Sequence, residues 1–260
     1  MPELPDVENF RRYFNATSLH QRISRVHVEE PALLFETSPQ GLGRALKRRD
    51  FQSTRRHGKY LFADTGERWL VLHFGMSGSL HYSKKDAGRP QYTRLSIEFE
   101  NDHQLVYTAP RKLGRIALAD SPEEWIEARE LGEDALDISE EQFLQKLSKR
   151  RGQVKSWLMD QHSLAGIGNI YSDEILFQTG LHPKHSLQDL DEEDRKQLYR
   201  TISSVLKTAI EKKAEPERMP DKFLLPHRKQ GGHCPACGTA LKSLSAAGRT
   251  AWHCPRCQAD

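Results

Sequence analysis

The first residues of the chain, Met1-Pro2-Glu3, place an amine and a carboxyl group next to each other. Removal of the initiator methionine leaves Pro2 with a free secondary amine, and amines attack carbonyl carbons to form Schiff bases. At pH 7 a lysine amine is unprotonated in about 0.04% of molecules, whereas a generic α-amine is unprotonated in roughly 14%. Glu3 supplies the acid–base partner that such chemistry needs. The start of the chain therefore allows a covalent nucleophile, while an ordinary protein start is the simpler interpretation of these residues taken alone.

All four cysteines lie near the end of the chain, in the pairs Cys234/Cys237 and Cys254/Cys257 with 16 residues between them. Two C-x-x-C pairs at this spacing offer four thiolates to a tetrahedral Zn²⁺ ion. Disulfides would need an oxidising compartment, and the N-terminus lacks the basic-then-apolar profile of a signal peptide. Because a complete thiolate set leaves no open coordination position, we predict one structural zinc ion and no catalytic metal.

The charge of the chain is concentrated locally, although its net value is only +3 over 260 residues. Basic clusters occur at residues 47–49, 55–59, 111–112, 149–151 and 228–229, and acidic stretches at 122–142 and 188–195. Such patches suit a surface that binds nucleic acid, while solvated surface charge is the simpler alternative for each cluster. No run of 18 apolar residues is present, so we expect no membrane span. Because the N-terminus lacks a signal-peptide profile, we expect the protein in the cytoplasm, associated with the nucleoid, and we expect a monomer.

The elements that must position the N-terminal residues follow directly. Val7, Phe10 and Phe14 recur at helical spacing, which predicts an amphipathic helix over residues 5–15. Residues 22–118 instead contain short alternating or apolar runs, at 23–28, 60–63, 69–74, 93–99 and 104–108. Their close spacing without intervening helical periods predicts an antiparallel sandwich or barrel.

The second half of the chain has a helical texture. Residues 120–140 are acidic and contain Pro122 and Gly132, which predicts a connection between domains. Helical periodicity then recurs near residues 140–149, 153–160, 168–178 and 190–214. A loop is predicted at 215–232, followed by a β-hairpin whose strands flank residues 238–253. We therefore predict an α+β multidomain chain, with a β-sandwich domain and flanking helices at 1–133, a helical domain at 134–226 and a zinc finger at 227–260.

Three segments together resemble one known family. Residues 2–8 (PELPDVE), residues 161–174 (QHSLAGIGNIYSDE) and the four-cysteine finger are similar to the formamidopyrimidine-DNA glycosylase / endonuclease VIII family, over essentially the whole chain. The resemblance implies an N-terminal β-sandwich, a helix–two-turns–helix module and a C-terminal zinc finger. It also implies a bifunctional enzyme that removes an oxidised base from double-stranded DNA and then cuts the backbone at the abasic site.

The resemblance assigns chemistry to the start of the chain. It implies that Pro2 attacks C1′ of the damaged nucleotide, and that the resulting iminium ion permits β- and δ-elimination of the two phosphates. Glu3 would protonate the sugar ring oxygen. Asp6 stands where the family usually has Glu, which shortens the carboxylate by one methylene.

Lys59 matches a lysine that the family places beside the lesion and its phosphate. The residues alone allow a surface charge at a strand start.

Further residues match positions that hold the DNA backbone. Asn169 follows Gly168 ahead of a predicted helix, where amide and backbone N–H groups bind phosphate, and its alternative role is a helix N-cap. Arg249, between the two cysteine pairs, matches the finger arginine that contacts phosphates around the flipped nucleotide. Lys155 and His73 match additional backbone contacts.

Because an N-terminal amine cannot reach a base inside a duplex, the target must be flipped out and its space filled. By resemblance, Met76 is the apolar plug, Arg111 faces the orphaned base and Leu113 wedges into the stack. Without the resemblance, Met76 and Leu113 are equally well explained as core residues.

The loop before the finger departs from the family pattern. The loop that covers an oxidised purine precedes the first finger cysteine, and here only residues 215–232 are available. Oxidised or ring-opened purines are the first expectation for the excised base, with oxidised pyrimidines or hydantoins as the alternative. Two readings of another class remain, a non-catalytic zinc-finger DNA-binding protein and a zinc-ribbon protein of the ribosome or transcription machinery, and neither explains Pro2 and Glu3.

Overall fold

The computed structural model describes residues 2–259, which form two compact units. The first unit comprises Pro2 and residues 6–130, and the second comprises residues 3–5 together with 131–259. Within the described part of the chain, no helix has both the length and the apolar character needed to cross a membrane. The finer division at residues 133 and 226 stays a prediction.

The first unit is built on two β-sheets. One is antiparallel and contains β1 (Ile23–Val28), β6 (Ser79–Lys84), β7 (Thr93–Phe99) and β8 (His103–Thr108), in the order β1-β7-β8-β6. The other contains β2 (Leu34–Phe35), β3 (Ser53–His57), β4 (Tyr60–Asp64), β5 (Trp69–His73) and β9 (Arg115–Ala119), in the order β2-β9-β5-β4-β3. Apolar side chains from both sheets share one core, which includes Ile23, Leu72 and Phe99. The predicted sandwich is confirmed.

The helices of the first unit are partly as predicted. Helix α1 (Leu4–Ser18) contains the predicted helix, and its Val7 and Phe14 are buried in the sandwich core. Helix α2 (Pro39–Leu46) lies where only strands were expected. It was not predicted because its two glycines weaken the helical pattern of the sequence. Strand β2 pairs parallel with β9, so the second sheet is mixed. Helix α3 (Pro122–Ala128) lies within the predicted connection at 120–140.

The second unit contains the four predicted helices. They are α4 (Glu140–Ser148), α5 (Val154–Met159), α6 (Asn169–Gln178) and α7 (Glu192–Glu211). The short strands β10 (Glu133–Asp134) and β11 (Leu164–Ala165) pair in parallel. The apolar faces of the helices form one core that also takes in Leu4 from the start of the chain.

The finger ends in an antiparallel hairpin formed by β12 (Lys242–Ala246) and β13 (Arg249–His253). Both strands lie inside residues 238–253, which corrects the expectation that they flank this stretch. The segment 215–232 is predominantly irregular, as predicted, but contains two short 3₁₀ turns, Pro216–Arg218 and Leu225–His227.

Candidate functional site

Glu3 is fully buried and its carboxylate caps helix α6. Its Oε2 accepts hydrogen bonds from Gly168 N at 2.7 Å and Tyr171 N at 3.2 Å, and its Oε1 accepts one from Ile170 N at 2.8 Å. The first N–H groups of a helix have no partner within the helix and favour a negative group. A Cβ at position 168 would lie 2.5 Å from Glu3 Cδ, so this close approach requires glycine. The geometry fixes Glu3 within the second unit.

Asn169 is not the N-cap of α6, which corrects that alternative. The cap position belongs to Gly168, and the capping side chain is Glu3. Asn169 Nδ2 donates to Thr250 O at 3.0 Å, and its buried Oδ1 has no hydrogen-bond partner in the described structure. One hydrogen of the Asn169 side-chain amide is therefore used within the protein, and its contact with a DNA phosphate stays a prediction.

The four cysteine sulfurs form a cluster that fits one zinc ion. All four Sγ atoms lie within 4.8 Å of one another, with Cys234 and Cys257 at 3.8 Å and Cys237 and Cys254 at 3.5 Å. Tetrahedral coordination with Zn–S bonds of about 2.3 Å gives S···S edges of about 3.8 Å. The predicted cofactor, one structural zinc ion on four thiolates, is therefore confirmed.

Arg249 is the first residue of β13, and its side chain is exposed while its neighbours are held. The carbonyl of Thr250 accepts from Asn169 Nδ2, and the N–H of Trp252 donates to Asp173 Oδ2 at 3.1 Å. Two residues of α6 therefore fix the strand that carries Arg249.

Lys155 is fully buried, which corrects the predicted direct contact with the DNA backbone. Its Nζ donates to Asp173 Oδ1 at 2.5 Å and to Ser172 Oγ at 2.9 Å. Burial lowers the pKa of Lys155, and the Asp173 carboxylate partly opposes this effect. The ammonium group is therefore engaged inside the second unit and presents no surface to a phosphate.

In the first unit, Lys59 lies close in the chain to a strand residue that pairs with His73. Lys59 occupies the turn between β3 and β4, one residue before Tyr60, which pairs with His73 across the β4–β5 ladder. Burial, together with the charges of Lys59 and Arg115, lowers the pKa of His73 to about 4. Its Nδ1 accepts from Gly75 N at 3.3 Å, so Nε2 carries the proton of the neutral ring. His73 thus offers a neutral donor at pH 7.

Met76 and Leu113 are 39% and 53% exposed, so the core-packing alternative for them is wrong. Arg111 Nη1 lies 3.6 Å from Met76 Sδ. Gly75 has a φ of +59°, and a Cβ there would lie 2.4 Å from Leu113 O. The loop that carries Met76 therefore packs backbone to backbone against the loop that carries Arg111 and Leu113, and the three predicted wedge residues emerge from one surface of the first unit.

Pro2 is partly exposed and directly precedes α1, whose first turn contains Asp6. Met1, whose removal we predict, lies outside the described residues. The predicted site residues are thus divided between the units. Pro2, Lys59, His73, Met76, Arg111 and Leu113 belong to the first, and Glu3, Lys155, Asn169, Arg249 and the four cysteines to the second.

Sequence reasoning missed Asp173, Glu174 and Arg228. Asp173 Oδ2 accepts from Arg228 Nε at 2.7 Å. The Glu174 carboxylate accepts from the N–H groups of Leu224 at 3.1 Å and Leu225 at 2.8 Å, and burial raises the pKa of Glu174 to about 7. The available signal was a pair of adjacent acids between apolar residues in a helix, a position where carboxylates need buried partners.

Comparison with known proteins gives a match to three family models in order along the chain. The formamidopyrimidine-DNA glycosylase N-terminal domain matches residues 1–116, the H2TH domain of the same enzymes matches 131–220, and the zinc finger found in FPG and IleRS matches 231–259. A formamidopyrimidine-DNA glycosylase from Methylococcus capsulatus is 34% identical, over 99% of this chain and 100% of the relative.

Solved structures agree along the whole chain. Lactococcus lactis Fpg bound to DNA containing N7-benzyl-Fapy-dG has a TM-score of 0.91 and 28% identity, with complete coverage of both chains. The same protein bound to DNA with an abasic site has a TM-score of 0.89 and 28% identity, covering 99% of this chain and 100% of that one.

The sandwich, the helical module and the zinc finger define a base-excision-repair DNA glycosylase, an enzyme with abasic-site lyase activity. The chain belongs to the formamidopyrimidine-DNA glycosylase family. Neither the non-catalytic DNA-binding protein nor the ribosomal or transcriptional zinc ribbon accounts for a match over the full length.

Proposed function

We propose that this enzyme removes oxidised bases from duplex DNA, with oxidised or ring-opened purines preferred, and cleaves the abasic site by β,δ-elimination through a Schiff base on Pro2. The observation that carries the proposal is the anchoring of Glu3 by three backbone N–H groups of α6, because it fixes the residue adjacent to the Pro2 amine. The proposed substrate is double-stranded DNA with a damaged base or an abasic site, met by a monomer in the cytoplasmic nucleoid.

The chemistry begins at the free amine of Pro2 after Met1 has been removed. The Pro2 nitrogen bonds to C1′, and the glycosidic bond breaks with its electron pair on the departing base, which is then protonated. Glu3, as a carboxylate, accepts the proton from the Pro2 nitrogen and delivers it to the ring oxygen as the sugar opens, leaving an iminium ion.

The iminium ion then makes the neighbouring proton acidic. Loss of the C2′ proton expels the 3′-phosphate in β-elimination, and loss of the C4′ proton expels the 5′-phosphate in δ-elimination. Water finally hydrolyses the iminium carbon and restores the Pro2 amine.

The remaining site residues hold the DNA in this proposal. Lys59, Asn169 and Arg249 contact phosphates near the flipped nucleotide, and phosphate contacts position a duplex without reading its sequence. Neutral His73 contributes an N–H donor.

The gap left by the flipped base is filled from the first unit. Met76 plugs it, Arg111 faces the orphaned base and Leu113 wedges into the stack. Their exposure and shared surface support these roles.

Borohydride trapping on an abasic-site duplex tests the proposal. Reduction of the iminium ion should leave a covalent protein–DNA complex that contains Pro2 in the cross-linked peptide. Pro2→Gly retains an α-amine and serves as the matched variant, which we expect to trap less well. Full trapping by protein with an uncleaved N-terminal extension would remove Pro2 from the mechanism.

A second substrate class, oxidised pyrimidines or hydantoins, is favoured by the segment before the finger. Residues 215–232 are short and tied down, since Phe223 and Leu224 are buried, Leu224 and Leu225 donate to Glu174, and Lys229 N donates to His227 O at 2.8 Å. Such a segment offers little chain to cover a purine. Single-turnover excision on matched duplexes with 8-oxoguanine, ring-opened guanine, a hydantoin and an oxidised pyrimidine decides between the classes.

A further inference from the structure

Asp173 is a fully buried carboxylate that receives donors from three separate parts of the second unit. Lys155 Nζ donates to Oδ1 at 2.5 Å, and Arg228 Nε and Trp252 N donate to Oδ2 at 2.7 Å and 3.1 Å. The sequence places these donors 18 residues before, 55 residues after and 79 residues after Asp173. Helix α6 thus joins α5, the segment before the finger and the finger hairpin at one charged group.

Arg228 also contacts the hairpin directly. Its Nη2 lies 3.4 Å from Thr250 O, the carbonyl that also accepts from Asn169 Nδ2 at 3.0 Å. Thr250 follows Arg249 directly in β13 and Trp252 lies two residues further on, and both are held through their backbone atoms. Since backbone contacts fix a strand whatever its side chains are, they set the direction in which the Arg249 side chain leaves the hairpin.

The charges explain why an arginine stands at position 228. The side chain of Arg228 is only 16% exposed and that of Asp173 is 0% exposed, so neither is a freely solvated surface charge. A guanidinium group presents several N–H donors in a fixed plane and can bind a carboxylate and a carbonyl at once, whereas an ammonium group acts as a point charge. Removing one partner of a buried pair leaves the other charge uncompensated.

We propose that Arg228 is a positioning residue that, bound to Asp173, orients Arg249 toward a DNA backbone phosphate without contacting the phosphate itself. This inference rests on the proposed function, which assigns the phosphate contact to Arg249. It adds that DNA affinity depends on the segment before the finger, because Arg228 of that segment sets the position of the hairpin.

A double-mutant cycle tests the proposal on the zinc-loaded enzyme. The affinity of a duplex carrying a tetrahydrofuran abasic analogue is measured over a range of salt for Arg228→Ala, Arg249→Ala and the double variant. We expect Arg249→Ala to weaken binding roughly tenfold or more, as for other hydrogen bonds to charged groups, and to reduce the log–log salt slope by about 0.9. Arg228→Ala should also weaken binding, but should cause no further loss in the Arg249→Ala background.

Two variants separate positioning from general destabilisation. Arg218→Ala removes an exposed cation of the same segment that pairs with Glu215 at 2.6 Å, and it should leave affinity unchanged. Arg228→Lys keeps the charge opposite Asp173 but loses the planar donor set, so it should recover part of the affinity. Zinc content verifies that each finger is folded, and excision at saturating enzyme should change less than affinity does.

The outcomes distinguish this inference from the proposed function. If the affinity loss of the double variant equals the product of the two single losses, Arg228 acts independently of Arg249. The same holds if Arg228→Ala lowers the salt slope further in the Arg249→Ala background. In either case the inference fails while the proposed function stands. If Arg249→Ala binds like the wild type, the phosphate contact and the inference built on it both fail.

Discussion

At the scale of the residue, Glu3 shows how contacts between distant parts of the sequence orient the side chain to which we assign proton transfer. Three N–H donors at the start of α6 surround its two oxygens, so the side chain has an orientation before any DNA is bound. Preorganised groups of this kind need no rearrangement during the reaction. The same contacts also stabilise the fold, so the stability of each Glu3 variant must be measured together with its activity.

Glu3→Gln should slow base excision by about 10²–10⁴-fold, the usual contribution of general acid–base catalysis, because an amide cannot relay the proton. Lesion-duplex affinity should change little. Single-turnover excision and equilibrium binding measure the two effects, with thermal unfolding as the control for the lost cap. An excision rate within about threefold of wild type would show that Glu3 does not relay the proton.

His73 should make the stability of the protein depend on pH between about 4 and 6.5. The pKa of His73 in the folded protein is below its value of 6.5 in the unfolded chain, so the unfolded state binds the proton first. The stabilisation is therefore present above pH 6.5 and is lost as the pH falls toward 4, by at most about 3 kcal/mol. Denaturant unfolding at several pH values, for wild type and His73→Gln, measures this slope. An identical slope in the variant would contradict the assignment.

The residues also show what sequence can predict. The cysteine spacing was sufficient for the zinc site, because four thiolates so close in sequence need only one hairpin to meet. Lys155 was misassigned since its partner is decided by the packing of α5 on α6, which no local pattern records. The contacts of Glu3 with residues 168–171 lie more than 160 residues apart in sequence, so only the folded chain reveals them.

At the scale of the element, the loop that follows β5 is held by the loop that follows β8. Gly75 lets the two backbones approach, and Gly114 lies against Tyr107, where a Cβ would fall 1.7 Å from the tyrosine Oη. These glycines place Met76, Arg111 and Leu113 on one surface. The proposed wedge would thus depend on the packing of two loops and not on three independent side chains.

Gly75→Ala should therefore slow excision while leaving the salt dependence of binding unchanged, because it displaces the wedge without removing a phosphate contact. Its Cβ would meet Leu113 O at 2.4 Å, and its φ of +59° is unfavourable for alanine. Gly88→Ala is the control, since Gly88 also has a positive φ but nothing within 4 Å of the added atom. Single-turnover rates compare the two, and an equal rate for both variants would refute the steric argument.

Two long helices were predicted well because their apolar pattern repeats over many residues. Helix α1 and helix α7 follow from their apolar spacing, and α7 begins at an Asp191–Asp194 capping box. Helix α2 was overlooked because it has only eight residues, two of them glycine, and is stabilised by the Ser38 cap and by burial of Leu42 and Leu46. The parallel pairing of β2 with β9 joins positions 82 residues apart, which strand patterns alone cannot indicate.

At the scale of the whole molecule, two features hold the hairpin that carries Arg249. A zinc ion is expected to keep the finger folded, and residues of α6 orient its hairpin. Cys234 and Cys254 are buried and pack with Leu224, Leu241 and Phe177 of α6 in one small cluster. Such a cluster is too small to fold without its ion. The finger must therefore fold around zinc before the Asp173 contacts can orient its hairpin.

Metal analysis should give one zinc per chain, and a chelator should abolish lesion-duplex binding because it releases the hairpin that carries Arg249. The matched variant, Cys254→Ser with Cys257→Ser, should behave like the chelated protein although Pro2 and Glu3 are unchanged. Readdition of zinc to the chelated wild type should restore affinity. Full binding by the double serine variant would separate DNA binding from the finger.

The exposed thioether of Met76 makes this repair enzyme a target of the agents whose damage it is proposed to remove. Peroxide converts methionine to its sulfoxide, which is polar and accepts hydrogen bonds strongly. Arg111 Nη1 already lies 3.6 Å from the sulfur, so the new oxygen would bind the guanidinium group and hold both residues back from the duplex. Oxidised protein, identified by mass spectrometry, should excise slowly and recover after treatment with methionine sulfoxide reductase. Repair capacity under oxidative stress would then depend on the reductant supply of the cell as well as on the amount of enzyme.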